Sequence, residues 1–176
     1  MMNNYFELYD LPVSFFPDAA AVKSKYYELS RKYHPDRYTQ ADKAQQLEAL
    51  TIAAQNNKAW KTLNNPDATM AYVLELHNLL QHDEKYTLPP AFLMEMMDFN
   101  EEVSEYEAGG DDALRQRLEQ TLNTYLTDWQ AAAEPLMRAY NSAAPDEATL
   151  LKIKDMYFRK KYLLRIQERI NKFATR

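Results

Sequence analysis

Pro35 limits how this chain can fold more than any other residue. It stands between two segments with helical periodicity, Val22 to Tyr33 and about Ala41 to Leu63. A residue before proline is pushed out of the α region, so His34 should end the first helix and the ring of Pro35 should fix the turn. The spacing predicts two antiparallel helices joined by a loop from His34 to about Gln40. Asp36 then falls at the loop tip beside Arg37, with its carboxylate free to meet a partner's guanidinium in a bidentate pair.

Composition supports helices throughout. The 176 residues include only two glycines, and 46% are hydrophobic, which argues against a turn-rich β architecture. The length allows one domain or two small ones, with a core that needs no staples. There is no cysteine, so disulfides and thiolate metal sites are excluded. The start, Met1-Met2-Asn3-Asn4-Tyr5-Phe6-Glu7, has neither a basic n-region nor an apolar h-region, and it lacks the Arg-rich character of a transit peptide. No run approaches the roughly 18 apolar residues that span a bilayer. A soluble cytoplasmic protein without a membrane anchor is expected.

The net charge of −5 disfavours bulk nucleic-acid binding, and the charge is unevenly spread. Val22 to Tyr33 carries Lys23, Lys25, Arg31 and Lys32 against Glu28. Glu95 to Asp112 carries eight acidic residues and no basic one. A basic patch and an acidic patch in different places suggest two different partners.

Along the chain, residues 4–10 suit a short helix carrying Tyr5, Phe6 and Leu8, stopped near Pro12. Asp18 is a good N-cap for the next helix, whose core stripe is Val22, Tyr26, Leu29 and Tyr33. Lys23, Tyr27 and Arg31 form a row on its opposite face. The following helix has the stripe Ala49, Ile52, Ala53, Asn56, Trp60 and Leu63, in which Asn56 needs a hydrogen-bond partner if it is buried. A short helix follows Asn65-Pro66-Asp67 and carries Tyr72, Val73, Leu74 and Leu76. His77 to about Pro90 reads as a linker. A helix is then expected from about Ala91 to Ala108, stopped by Gly109-Gly110, with Asp111 capping the next. That helix has the stripe Leu114, Leu118, Leu122, Tyr125, Trp129, Ala132, Leu136 and Tyr140, and Pro135 should kink or split it. Ala144-Pro145-Asp146 opens a last helix to about Phe173. The last three helices, joined by short turns, should form an antiparallel bundle.

One helix has an apolar face that a bundle does not require. Phe92, Met96, Phe99, Val103 and Tyr106 complete a core stripe, which leaves Leu93, Met94 and Met97 pointing away from it. Asp98, Glu101 and Glu105 rim this second patch. On the last helix Ile153, Met156, Leu163, Ile166 and Ile170 supply the core, leaving Tyr157, Phe158 and Tyr162 on other faces. Methionine and aromatic residues rimmed by charge mark a protein-binding surface; the bland reading is that neighbouring helices, or the N-terminal domain, cover them.

The basic helix with its His-Pro-Asp turn resembles the J-domain of DnaJ-type co-chaperones. Further phrases make the chain resemble the HscB family, the J-type co-chaperones of iron–sulfur cluster assembly. These are Tyr5-Phe6-Glu7-Leu8-Tyr9-Asp10-Leu11-Pro12, Tyr33-His34-Pro35-Asp36-Arg37-Tyr38 and Asn57-Lys58-Ala59-Trp60-Lys61-Thr62-Leu63. Tyr72-Val73-Leu74-Glu75-Leu76-His77 and Ala91-Phe92-Leu93-Met94-Glu95 complete the set, and the Phe-Leu-Met-Glu phrase is what singles out HscB. The resemblance implies an all-α chain: a J-domain at 1–76, a linker at 77–86 and a client-binding three-helix bundle at 87–176. It implies that His34, Pro35 and Asp36, with Lys23, Lys25, Tyr27, Arg31, Lys32 and Arg37, engage a DnaK/HscA-type chaperone and stimulate its ATP hydrolysis. It implies that Leu93, Met94 and Met97, with Glu101, Tyr157 and Phe158, hold the IscU-type scaffold protein. No cofactor is implied, and no metal site is carried over from the cysteine-bearing extension of some eukaryotic relatives. The sequence departs from the pattern at Asn56, where J-domains usually place an aliphatic residue, and at Thr69-Met70, where Arg-Ala is usual.

Other classes fit less well. An enzyme would need His34 and Asp36 as an acid–base pair, but an exposed loop offers no desolvated pocket to tune them. His77 and His82, five residues apart, are poorly spaced for a metal. The serious alternative is a J-domain adaptor serving a different client; a third is a scaffold-binding protein with an inactive J-domain.

Overall fold

The computed structural model describes residues 4–173. Met1-Met2-Asn3, read above for a leader, and the end of the range assigned to the bundle lie outside the described residues. Among the described residues every regular element is helical, as expected. The elements are α1 (Tyr5–Leu8), α2 (Ala19–Lys32), a 3-10 turn (Pro35–Tyr38), α3 (Lys43–Leu63), α4 (Pro66–Leu76), α5 (Pro90–Glu95), α6 (Met97–Glu107), α7 (Asp112–Arg138) and α8 (Glu147–Phe173). No helix among them is long and apolar enough to cross a membrane. The chain divides into two units: Met1–Asn78 with Tyr140–Asp146, and Leu79–Ala139 with Glu147–Arg176.

In the first unit side-chain caps set the helix starts. Asn4 accepts from the Glu7 amide, Asp18 from Ala21, Asp42 from Gln45 and Asn65 from Ala68. The third helix therefore begins at Lys43 rather than Ala41, because Asp42 is the residue able to cap it. Helix α3 is the hub and touches α1, α2 and α4. Tyr26 stacks on Trp60 while Ser30 meets Asn56, so α2 and α3 run antiparallel. Val22 and Leu29 are buried as the stripe required, whereas Tyr26 and Tyr33 are only half-buried. Tyr140 joins this unit, edge-on to the rings of Phe15 and His77 and 2.8 Å from His77 Nε2.

Asn56 is fully buried, and its polar atoms are satisfied. Its Oδ1 accepts from the Tyr9 hydroxyl at 2.8 Å, and its Nδ2 donates to the Tyr26 carbonyl and to Ser30 Oγ, both at 3.0 Å. A polar side chain thus ties α1, α2 and α3 together where an aliphatic one would only pack. Thr69, the other departure, is buried with its hydroxyl donating to the Thr62 carbonyl.

In the second unit α7 and α8 form the main pair, and α6 packs on both. Phe92, Asn100 and Glu107 meet Arg159, Tyr162 and Arg169 in that order, so α5–α6 runs parallel to α8. Trp129 donates its indole N–H to the Met156 carbonyl at 2.7 Å, which pins α7 against α8. The turn before α7 depends on its glycines. Gly109 has φ +133°, and a Cβ on Gly110 would sit 2.8 Å from Tyr106 Cα. Asp111 then caps α7 through the Leu114 amide.

Four expectations need correction. The helix expected at 91–108 is interrupted at Met96, whose carbonyl accepts both the backbone and the side-chain amide of Asn100. Helix α7 is not split by Pro135 but continues to Arg138. That proline lies in the last turn, where the backbone donor it lacks removes a single ladder bond. The buried row past Trp129 is Ala133 and Met137, not Ala132 and Leu136. The segment at 79–86 is not a bare tether: Leu80 is buried, Glu84 is paired with Lys154, and Tyr86 donates to Asp155 at 2.9 Å.

Two outcomes follow. Asn56→Ala strands the Tyr9 hydroxyl and opens a small void, and should lower stability by roughly 2 kcal/mol in urea titrations; a change near zero would show that the buried network contributes nothing. In the second unit the Arg169 hydrogen bonds hold the Glu107 carboxyl below the usual carboxylate range, and Lys154 does the same for Glu84. A depressed folded-state pKa stabilises above the unfolded value and is lost as pH falls through the folded one. Stability should therefore decline from about pH 4.3 downward. Arg169→Met should make melting temperature less steep with pH in that window, and an unchanged slope would reject the linkage.

Candidate functional site

Two surfaces carry the residues singled out by sequence, one in each unit. In the first, His34 is extended at φ −63° and ψ 131°, as a residue before proline requires, and the loop closes into the 3-10 turn Pro35–Tyr38. The Asp36 amide donates to His34 Nδ1 at 3.4 Å, Thr39 Oγ1 donates to the Asp36 carbonyl, and the Tyr38 hydroxyl reaches back to the Lys32 carbonyl. Tyr38 also stacks on Tyr33. These bonds shape the turn without using the Asp36 carboxylate, whose side chain is 87% exposed and, among the described residues, meets only His34 Nδ1 at 3.5 Å.

Lys23, Tyr27, Arg31, Lys32 and Arg37 are exposed. Lys25 differs from them: its ammonium is 2.7 Å from Asp10 and 3.4 Å from Glu28, and the Asp10 hydrogen bond pushes its pKa up. It holds α2 to the end of α1, where Asp10 sits at φ +54°, rather than offering a free charge. Sequence reasoning missed the leucines beside the loop. Leu47 and Leu50 are 66% and 58% exposed, and an open cleft of about 420 Å³ is lined by Pro35, Tyr38, Ala49 and Leu50. The signal was available, since both leucines fall outside the Ala49–Asn56–Leu63 stripe.

In the second unit all five residues of the Phe92–Tyr106 stripe are buried. Leu93, Met94 and Met97 are 42%, 73% and 60% exposed, on the face opposite that stripe, and Glu101 is exposed beside them. Phe158 does not join them. It is buried, with its ring stacked on Tyr86 at 4.3 Å, because the segment read as a linker covers it. Tyr157 is half-buried, edge-on to Phe158 and under the Lys161 ammonium. The structure thus presents the α5–α6 face and withdraws part of the α8 contribution.

The sequence also gave no sign of a network that holds this face in place. Arg169 grips Glu107 with two bonds of 2.8 Å and donates to Asn100 Oδ1, while Asn100 Nδ2 donates to Tyr162. Among the described residues no cluster of His, Cys, Asp and Glu is arranged to hold a metal ion.

Residues 88–171 match the family model of the HSCB C-terminal oligomerisation domain. This part of the chain carries an HscB-type C-terminal domain. Chaperone HscB from Vibrio cholerae is similar in structure over 98% of both chains, with a TM-score of 0.74 and 25% identity. Human co-chaperone protein HscB matches 96% of this chain and 81% of its own, with a TM-score of 0.77 and 24% identity, and carries the likeness of fold. The recognition of HscB from sequence is borne out, as is the fold: a J-domain followed by an HscB-type helical bundle.

Burial separates the two faces of α5–α6 energetically. Phe92→Ala should destabilise the protein by about 3–5 kcal/mol, whereas Leu93→Ala/Met94→Ala/Met97→Ala should melt near wild type. Thermal melts of both variants check this. A triple variant that unfolds would mean these side chains are packed after all.

Proposed function

We propose that this protein is a co-chaperone of iron–sulfur cluster assembly, which binds an IscU-type scaffold protein and presents it to a DnaK/HscA-type chaperone while stimulating that chaperone's ATPase. The carrying observation is the exposed trio Leu93, Met94 and Met97 within a domain of the HscB family, on a chain that also bears a free Asp36 carboxylate at a His-Pro-Asp turn. In this reading residues 1–76 act on the chaperone, 77–86 connect, and 87–176 bind the client in the cytoplasm. The chain has no chemistry of its own to perform: the ATP hydrolysis belongs to the partner, and no cofactor is needed.

The physical division of labour follows from the two surfaces. Arg31 and Lys32, with Lys23 and Arg37, steer the turn toward an acidic region of the chaperone, where Asp36 forms a charge-assisted contact. Tyr27 adds an amphipathic ring in the same row. The client side is apolar at its centre and acidic at its rim, so its affinity comes from desolvated Leu and Met side chains, and Glu101 contributes to orientation. Lys25 and Phe158, which are tied up within their own units, act in this reading as supports rather than contacts.

Asp36→Asn keeps the side chain's size and removes its charge. It should reduce chaperone ATPase stimulation at least about tenfold, with scaffold binding and thermal stability near wild type. The Leu93/Met94/Met97 triple alanine variant should do the reverse: basal stimulation intact, scaffold affinity lost, and no added stimulation when scaffold is present. Steady-state ATPase assays with and without IscU-type scaffold separate the two. Stimulation by Asp36→Asn equal to wild type would remove the His-Pro-Asp turn from the mechanism.

A further inference from the structure

The two edges of the exposed α5–α6 face carry opposite charge. Toward α7, Glu95 and Asp98 lie near the Tyr125 phenol, and Glu95 shares a small groove with Asp128. Neither Glu95 nor Asp98 is in an ion pair among the described residues; Glu102, on the same edge, faces Arg117 at 3.4 Å.

Toward α8 lies an open cleft of about 400 Å³ between residues 83–88 and that helix, with Phe158 and Tyr86 in its wall. Lys85, Lys161 and Arg165 line it. Three cations of α8 are held by carboxylates: Lys154 by Glu84, Arg159 by Asp155 and Arg169 by Glu107. Lys85, Lys161 and Arg165 are exposed and join no ion pair among the described residues, and Lys161 meets only the rings of Tyr157 and Phe158. Like charges at i and i+4 weaken a helix, so nothing in the fold itself calls for Lys161 and Arg165 in one row. Of the two carboxylates that also line the cleft, Glu84 is held by Lys154, and Asp83 lies 3.6 Å from His82.

The cleft adjoins the apolar face through Tyr162, which lines it, packs edge-on against Phe92 and accepts from Asn100. Leu93 directly follows Phe92 in α5. The apolar face lies between the two charged edges, so one docked protein that covers it can meet both.

We propose that this cleft receives a carboxylate of the same client that covers Leu93, Met94 and Met97, while a basic group of that client meets the Glu95–Asp98 edge. The apolar centre supplies affinity and the two edges fix a single docking orientation. The proposal rests on the client reading of the α5–α6 face given above.

The test uses the full chain and an IscU-type scaffold protein, with association and dissociation rates measured at low and high salt. Lys161→Glu/Arg165→Glu should lower the association rate about tenfold, flatten its salt dependence and leave the melting temperature near wild type. Lys161→Arg/Arg165→Lys should bind as wild type, and reversing an acidic residue of the scaffold should rescue the Glu variant. Should charge reversal disturb folding, Lys161→Gln/Arg165→Gln gives the same readout with a smaller effect. Unchanged rates and salt slope in a folded double variant, while Leu93→Ala/Met94→Ala/Met97→Ala abolishes binding, would overturn the cleft and leave the apolar face standing. Binding by that triple variant as tight as wild type would instead overturn the client reading itself. Inorganic phosphate that binds wild type and not the double variant, with scaffold binding both alike, would make the cleft a small-anion site and reject the proposal.

Discussion

What the C-terminal unit offers to a partner depends on one buried row. Phe92, Met96, Phe99, Val103 and Tyr106 sink into the space beside α7 and α8, and helical geometry then forces Leu93, Met94 and Met97 outward. Apolar packing is non-directional, so the row alone does not specify the helix's register. Polar contacts specify it. Arg169 grips Glu107 at one end, Asn100 links Arg169 to Tyr162 in the middle, and Arg159 lies over the Phe92 ring at the other end. Asn100 also takes the Met96 carbonyl, where α5 gives way to α6. An apolar patch held at fixed angle loses less entropy on binding than one on a rolling helix.

The first unit solves a different problem with similar means. A short loop must present a carboxylate without letting it collapse onto its own backbone. Pro35 removes a backbone donor and sets the turn, and the remaining donors are used locally by His34 Nδ1, the Asp36 carbonyl and the Lys32 carbonyl. Behind the turn, α2 and α3 are locked by Asn56, a residue that a purely apolar design would avoid. Buried among Tyr9, Tyr26 and Ser30 it satisfies every group it meets, so its desolvation is offset and the register of the two helices is specified.

Charge is partitioned by whether it is paired. Lys25, Lys154, Arg159 and Arg169 are held by carboxylates and serve the fold. Arg31, Lys32, Lys161 and Arg165 are exposed in the rows where a partner can reach them. The same residue type therefore does two jobs, and only its neighbours decide which.

That partition also marks what could be read from the chain before its fold was known. Periodicity, proline and capping residues determined the helices, the antiparallel hairpin, the His-Pro-Asp turn and the outward trio Leu93, Met94 and Met97, because each of these is set by contacts within a few residues. The need of Asn56 for a partner was legible as well. Its partners were not, since Tyr9 lies 47 residues away. Phe158 was misread for the same reason: its own helix leaves it off the core stripe, and it is Tyr86, from a segment that looked like a tether, that buries it. Lys25 looks like its neighbours until Asp10 arrives from another helix. The sequence by itself determined which faces exist, and tertiary structure decided which of them are covered, because burial and ion pairing depend on residues that are distant in the chain and adjacent only after folding.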